Sequence, residues 1–327
     1  MKGLRKGYHL ISEQVMLMVI IIAIAVVMSF LSPYFMTFNN ITNIIQYISV
    51  YGITAIGMTL VILTGGINLS VGGTLALSAW LAAFLMLKGV SWPIAMIAAL
   101  GAGAIAGTAN GVAVSKIGIP SLIATLALEQ MTRGLHLIFS KGKPLYGLPK
   151  GFLAVGAGKI GPVPMSVVWT LLLFILFGWF LANTTLGRTI YAVGGNPVAT
   201  RIAGVNNHKI IMFVYIMTGM LCTFAGLVLI ARLDSCPVSI ATSLDMSAIT
   251  GCVIGGCSVT CGGKGKIFGT FLGIIIMGLI QNSLDLLNVS AYYQQFIQGM
   301  VILLAVTLDA MKSKGVFENM KRRKQFA

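Results

Sequence analysis

Glu129 and Arg133 stand four residues apart in an otherwise apolar run, "IPSLIATLALEQMTRGLHLIF". On a helix they share one face, with the acid N-terminal to the base, and His136 falls close to that face. An ionisable group inside a membrane span is expensive and tends to face a bundle interior, where it neutralises a neighbour or lines a transport route. Both readings are open for this pair. "TGGINLSVGG" sets Asn68 and Ser70 among glycines at a membrane edge. Either side chain reads as a cap on the helix that follows, and irregular backbone of this kind also borders wet cavities. Asn282, beside Gln281, comes late in another apolar run, where a carboxamide hydrogen-bonds across helices. Asp245 reads as an N-terminal cap, favoured by the helix dipole. The candidates for a translocation path are therefore Asn68, Ser70, Glu129, Arg133 and Asn282.

None of these forms a catalytic set, and no catalytic residue is assigned. Cys252, Cys257 and Cys261 follow a C-x4-C-x3-C spacing that matches no C-x2-C metal pattern, so they read as small packing residues and no metal site is expected. A phosphate-cradling loop needs G-x4-G-K-[ST]. "GGKGKIFG" comes nearest, but Gly265 follows Lys264 and Ile267 follows Lys266, and the first glycine is missing. The chain is not expected to bind ATP by that route, and no cofactor of its own is expected.

The elements that must carry these residues are set by hydropathy. Only 9% of the 327 residues are charged, against about 25% in soluble domains, and 57% are hydrophobic. No charge occurs from Val15 to Leu87. Runs well beyond the ~20 residues that span a bilayer read as transmembrane helices. The expected fold is an all-α polytopic membrane protein, one transmembrane domain over 1–327. Apolar segments fall at 15–31, 44–64, 72–87, 94–114, 121–139, 166–183, 210–230, 246–258, 267–285 and 295–311, about ten helices. The short segments at 72–87 and 246–258 read either as half-helices or as short spans that need tilted neighbours. "GAGAIAGTANG" places Gly103, Gly107 and Gly111 four apart, a face for close helix packing. "TGGINLSVGGTL" faintly resembles "CGGKGKIFGTFL", a weak internal repeat.

The net charge of +15 belongs to the membrane, not to nucleic acid, because basic residues flank the apolar runs. Lys2, Arg5 and Lys6 precede the first run, and Lys312, Lys314 and Lys321 to Lys324 follow the last. No cleavage site follows the first run, so it is expected to be retained. With both termini in the cytoplasm, the inside segments hold fifteen Lys and Arg and the outside segments six. Lys141, Lys143, Lys150 and Lys159 lie in an outside segment, 140–165, that runs against this bias.

A polar stretch, "YAVGGNPVATRIAGVNNHKI", interrupts the hydrocarbon at 191–210 without a single Asp or Glu. Asn196 followed by Pro197 reads as an N-cap with proline at the first helical turn. Thr200, Arg201 and Gly204 lie along that short helix or end it. "TGGINLSVGG", "IPSLIATLA", "TLGRTIYAVGGNPVATRIAGVN", "LDMSAITGCVIGG" and "GGKGKIFGTFLG", in order along nearly the whole chain, closely resemble the permease subunits of ribose-type ABC sugar importers. The resemblance implies a bacterial inner-membrane permease that transports a sugar delivered by an extracytoplasmic binding protein. It implies a second permease subunit, identical or different, and cytoplasmic ABC ATPases that bind ATP and Mg. It makes 184–209 a cytoplasmic coupling loop, with Gly194, Gly195, Asn196, Thr200, Arg201 and Gly204 coupling to the ATPase. The family commonly has Asp where Asn68 stands, and often Glu-Ala where Pro197 and Val198 stand. A second class of function is a proton-coupled secondary transporter with Glu129 as the proton carrier.

Overall fold

The computed structural model describes residues 2–313, with side chains described for 14–311. Among the described residues, thirteen α-helices follow one another. The first five are α1 (Lys2–Leu31), α2 (Phe38–Leu63), α3 (Val71–Leu87), α4 (Trp92–Val112) and α5 (Ser121–Ser140). A single turn, α6 (Lys150–Leu153), precedes α7 (Met165–Asn183), and two short helices follow, α8 (Thr185–Gly195) and α9 (Pro197–Ile202). The chain then forms α10 (Asn207–Leu233), α11 (Leu244–Ile254), α12 (Ile267–Leu286) and α13 (Ala291–Ser313).

A helix thus lies over every apolar segment, and seven of these helices are long and apolar enough to cross a membrane. The other three differ for stated reasons. α3 has 17 residues and α11 only 11, about 26 and 16 Å at 1.5 Å per residue, short of a 30 Å hydrocarbon core. α5 has the length, at 20 residues, but carries Glu129, Arg133 and His136. α11 stops earlier than its hydropathy predicts because Gly256 takes φ +90° and turns the chain in a glycine-capped ending. Cys257 N–H then closes on the Cys252 carbonyl at 2.9 Å.

α2 and α10 form the centre, with Ile53, Ile56 and Leu60 of the one and Tyr215, Leu227 and Ile230 of the other buried. The small-residue stripe of α4 lies against α10. A methyl at Gly107 would fall 2.4 Å from the Tyr215 carbonyl oxygen, and one at Gly103 would fall 2.6 Å from that of Gly219. Backbones approach this closely only where side chains are absent, the packing that substitutes for a hydrophobic drive in lipid. α1 and α13 sit outermost and expose Ile22, Phe30, Phe296 and Leu303, as a lipid-facing surface would.

No further long helix lies between α5 and α7. β1 (Leu145–Tyr146) pairs antiparallel with β4 (Ser235–Cys236), just past α10, while β2 (Lys159–Ile160) and β3 (Val163–Pro164) make a hairpin turned at Gly161. The lysine-bearing 140–165 segment therefore lies beside the end of α10, opposite the end that carries α8 and α9. Lys314 and Lys321 to Lys324 lie outside the described residues.

Candidate functional site: a glycine hub and a buried polar strip

The polar loop folds into two clamped helices. Thr184 starts α8 by accepting the Gly187 N–H at 3.0 Å, and α8 buries Gly187, Ile190 and Val193 along one side. Its end is tied to the bundle by main chain. A Cβ built on Gly194 would lie 1.8 Å from the Leu63 carbonyl oxygen and 2.8 Å from the Gly263 nitrogen. Gly263 N–H donates to that same Leu63 oxygen at 2.9 Å, and Gly262 abuts the Gly194 carbonyl and the Gly65 Cα. Glycines from three distant stretches, Gly65, Gly194 with Gly195, and Gly262 with Gly263, thus meet in one hub. The two stretches of the faint repeat begin side by side in it. Tyr191 OH donates to the Gly265 carbonyl at 3.2 Å, and burial pushes its phenol up to about 12, so it stays a neutral donor at physiological pH.

The start of α9 is as its sequence predicts. Asn196 Oδ1 accepts the Ala199 N–H at 2.9 Å and Pro197 occupies the first turn. Its end is a Schellman turn: Val205 N–H donates to the Thr200 carbonyl, Gly204 N–H to that of Arg201, with Gly204 at φ +82°. Thr200 is buried, and its hydroxyl lies 3.0 Å from Asn207 Oδ1, while Asn207 Nδ2 donates to the Pro197 carbonyl at 2.8 Å. α9 is therefore pinned to the start of α10. Its other side is free: Arg201 is exposed, with Val198 at 66% and Ile202 at 82% exposure. Two bare aliphatic side chains beside a cation on a clamped helix present a surface suited to another protein.

The second strip of polar residues wraps the beginning of α3, and it corrects the expected cap. Ser70 stands at the N-cap position but makes no capping bond. Instead its N–H and hydroxyl both donate to Asn68 Oδ1, at 3.0 and 2.8 Å, and Asn110 Nδ2 of α4 donates to Ser70 Oγ at 2.6 Å. A neutral carboxamide at 68 suffices as acceptor. The irregular backbone before it is satisfied by α5, with Ile67 N–H on Ser121 Oγ and Leu69 N–H on Thr125 Oγ1.

One turn further on, Glu129 is buried and satisfied from two sides. Oε2 accepts the Gly73 N–H at 2.5 Å, and Oε1 accepts Arg133 Nε at 2.6 Å. This is the only ion pair among the described residues. Arg133 extends the link, donating to the Ala241 carbonyl at 2.8 Å and to that of Ile240 at 3.4 Å. The pair thus fastens α5 to the start of α3 and to the loop before α11. His136 is buried too, and neither ring nitrogen has a protein partner among the described residues.

Asn68, Ser70, Glu129 and Arg133 therefore share one neighbourhood. Asn282 does not join them. It exchanges two carboxamide hydrogen bonds with Asn40, of 2.8 and 3.0 Å, and so ties the end of α12 to the start of α2. Asp245 occupies the first turn of α11, not its N-cap, which falls to Ser243 at φ +60° without a side-chain bond. Cys252 and Cys257 are buried around the Thr59–Thr270 contact, in keeping with small packing residues. Sequence reasoning missed Asn110, Asn40 and Tyr191 as partners. Tyr191 and Asn110 stood inside motifs already noticed for their glycines, but nothing local marks which residue a carboxamide or phenol will meet.

The long apolar helices define a multi-pass all-α membrane protein. The chain belongs to the family described as branched-chain amino acid transport system / permease component, which it matches over residues 40–306. It is 43% identical over 307 residues to the ribose import permease protein RbsC of Escherichia coli (strain K12), covering 92% of this chain and 94% of that protein. To the RbsC of Bacillus subtilis (strain 168) it is 39% identical, over 89% and 90% of the two chains. To the D-allose transport system permease protein AlsC of Escherichia coli (strain K12) it is 36% identical, over 90% and 91%. No solved structure matches it significantly. The motif resemblance to ribose-type permeases holds across these matches.

Proposed function

We propose that this chain is the membrane permease of an ATP-driven ABC importer for a monosaccharide of the ribose or allose kind. One observation carries the reading: α9 exposes Val198, Arg201 and Ile202 outward while the adjoining Gly194 abuts Leu63 and Gly263 inward. A partner that grips α9 and moves therefore pushes on the end of α2 and on the stretch leading into α12. The partner is a cytoplasmic ABC ATPase that holds ATP and Mg, and this chain has no ATPase site of its own. A sugar-binding protein meets the opposite end, and a second permease subunit completes the path. Both termini lie in the cytoplasm, the side that the basic bias favours.

ATP closure of the partner and docking of loaded binding protein each prefer one of two packings of the bundle. Swinging the population from 1:99 to 99:1 needs about 5.5 kcal/mol of such differential binding. Proteoliposomes holding permease, ATPase and binding protein test the reading. Arg201→Glu is expected to leave the complex folded yet cut sugar uptake at least tenfold, with ATP turnover no longer stimulated by loaded binding protein. Uptake driven by a proton gradient without ATP, and abolished by Glu129→Gln, would establish the proton-coupled transporter instead.

A further inference from the structure

At the end of the bundle away from the glycine hub, a cavity of about 270 Å³ opens between α2, the last turns of α10 and the loop into α11. Its polar lining comes from Tyr47, Tyr51, Arg232, Ser239 and Thr242, with Leu229 on the apolar side. The two tyrosines lie one turn apart on α2 with stacked rings, 4.2 Å between centroids and 26° between planes. Arg232 has no carboxylate partner among the described residues; the Tyr51 phenol is the group beside it. An unpaired, half-buried guanidinium is costly to keep unless something supplies acceptors.

The loop that closes this cavity is held in an uncommon shape. Ala241 and Ser243 adopt φ +58° and +60°, the left-handed region that residues with a Cβ avoid. Arg133 pins it through the Ile240 and Ala241 carbonyls, and Glu129 anchors Arg133 to α3. The ion pair singled out from the sequence thus shapes one wall of a cavity that neither of its members lines. A pocket rigid before its ligand arrives binds without the cost of ordering itself.

We propose that this cavity receives a single neutral monosaccharide, with Arg232 donating to adjacent ring hydroxyls and the stacked Tyr47–Tyr51 pair lying against one side of the sugar. The inference rests on the importer reading above. A guanidinium fork matches two neighbouring oxygens, phenols and the Ser239 and Thr242 hydroxyls both donate and accept, and aromatic faces take the C–H side of a pyranose or furanose. The volume falls just below the about 300–1,000 Å³ range of drug-sized ligand sites, in keeping with room for one sugar unit. A phosphorylated sugar fits poorly, because its dianion would meet a single cation in the lining.

The complete complex in proteoliposomes provides the test, with D-ribose and D-allose as probes. Arg232→Gln and Tyr51→Leu are each expected to lower uptake at least tenfold, while ATP turnover stimulated by loaded binding protein stays within twofold of the unaltered complex. Uptake within twofold for both variants would overturn the site and leave the importer reading standing. An unaltered complex that hydrolyses ATP but imports neither sugar would instead remove the reading on which the site rests. A second measurement covers variants that fail to assemble. Thr242→Cys, in a chain also carrying Cys261→Ala, is labelled with a thiol reagent; saturating sugar should slow labelling at least fivefold. An unchanged rate, or stronger protection by ribose 5-phosphate than by ribose, would overturn the assignment.

Discussion

At the glycine hub the atoms that meet are main-chain: the Leu63 carbonyl, the Gly263 N–H and the bare Cα of Gly194. At the other end of the bundle they are side-chain: a guanidinium on two carbonyls of the 240–241 loop, two stacked phenols, a pair of exchanged carboxamides. The contrast follows from the work each end is proposed to do. A joint that passes a displacement must be stiff, and backbone against backbone leaves no rotamer to absorb the movement. A surface that meets solutes needs donors and acceptors with some choice of geometry, which side chains supply. The hub is also intolerant of added bulk at one position and indifferent one residue away, a difference that can be used against it.

The largest expected effect is at Gly194. Alanine there puts a methyl 1.8 Å from the Leu63 oxygen, so Gly194→Ala should abolish assembly or reduce sugar uptake at least 100-fold. Nothing lies within 4 Å of the same atom at Gly195, and Gly195→Ala should keep uptake within threefold. Equal behaviour of the two, in membranes with matched expression, would break the idea of a main-chain joint. Next comes the side-chain end. Arg133→Met leaves the Glu129 carboxylate with one hydrogen bond and releases the 240–241 loop, and removing one member of a buried pair costs about 3–5 kcal/mol. With Arg133 partly exposed the lower figure applies, and the thermal unfolding midpoint in detergent should fall by several degrees, with Glu129→Gln milder.

Smaller effects sharpen the comparison at α9. Asn196→Ala removes the acceptor for the Ala199 N–H, a loss of about 1 kcal/mol confined to that helix. Hydrogen exchange of 197–203 should quicken while α10 stays protected. The smallest effect is at Tyr191. Its phenol is raised from 10 to about 12 in the folded chain, so its contribution is complete below pH 10 and fades as pH rises through 12. Stability should be flat from pH 7 to 9 as far as this residue is concerned. Tyr191→Phe should erase only the component lost at high pH, read by alkaline unfolding of the two proteins side by side.

Much of the fold was legible because its cause is local. Transfer from water to hydrocarbon is decided over about twenty consecutive residues, so every helix over an apolar run was readable from composition alone. Asn196–Pro197 announces a helix start, and Gly204 its end, because capping is settled within six residues. The spacing of Glu129 and Arg133 put them on one helix face within reach of each other, and the structure shows them paired.

What the tertiary structure alone decided are the contacts between residues far apart in the chain. Ser70 could cap its own helix or turn to Asn68 and Asn110, and packing of α3 on α4 chose the second. Arg133 reaches a loop more than a hundred residues away, and Asn40 finds Asn282 across 242. The glycines of the three stretches each stood in a motif the sequence shows, yet their convergence was not visible there. Glycine has no side chain whose chemistry could name a partner; the missing atom matters only where another backbone arrives to fill its place. Likewise Tyr47, Tyr51 and Arg232 look like ordinary residues near helix ends until α2, α10 and the strained 241–243 loop enclose one cavity. Hydrophobic length and cap chemistry act along the chain, whereas cavities and close approaches are properties of the whole packing.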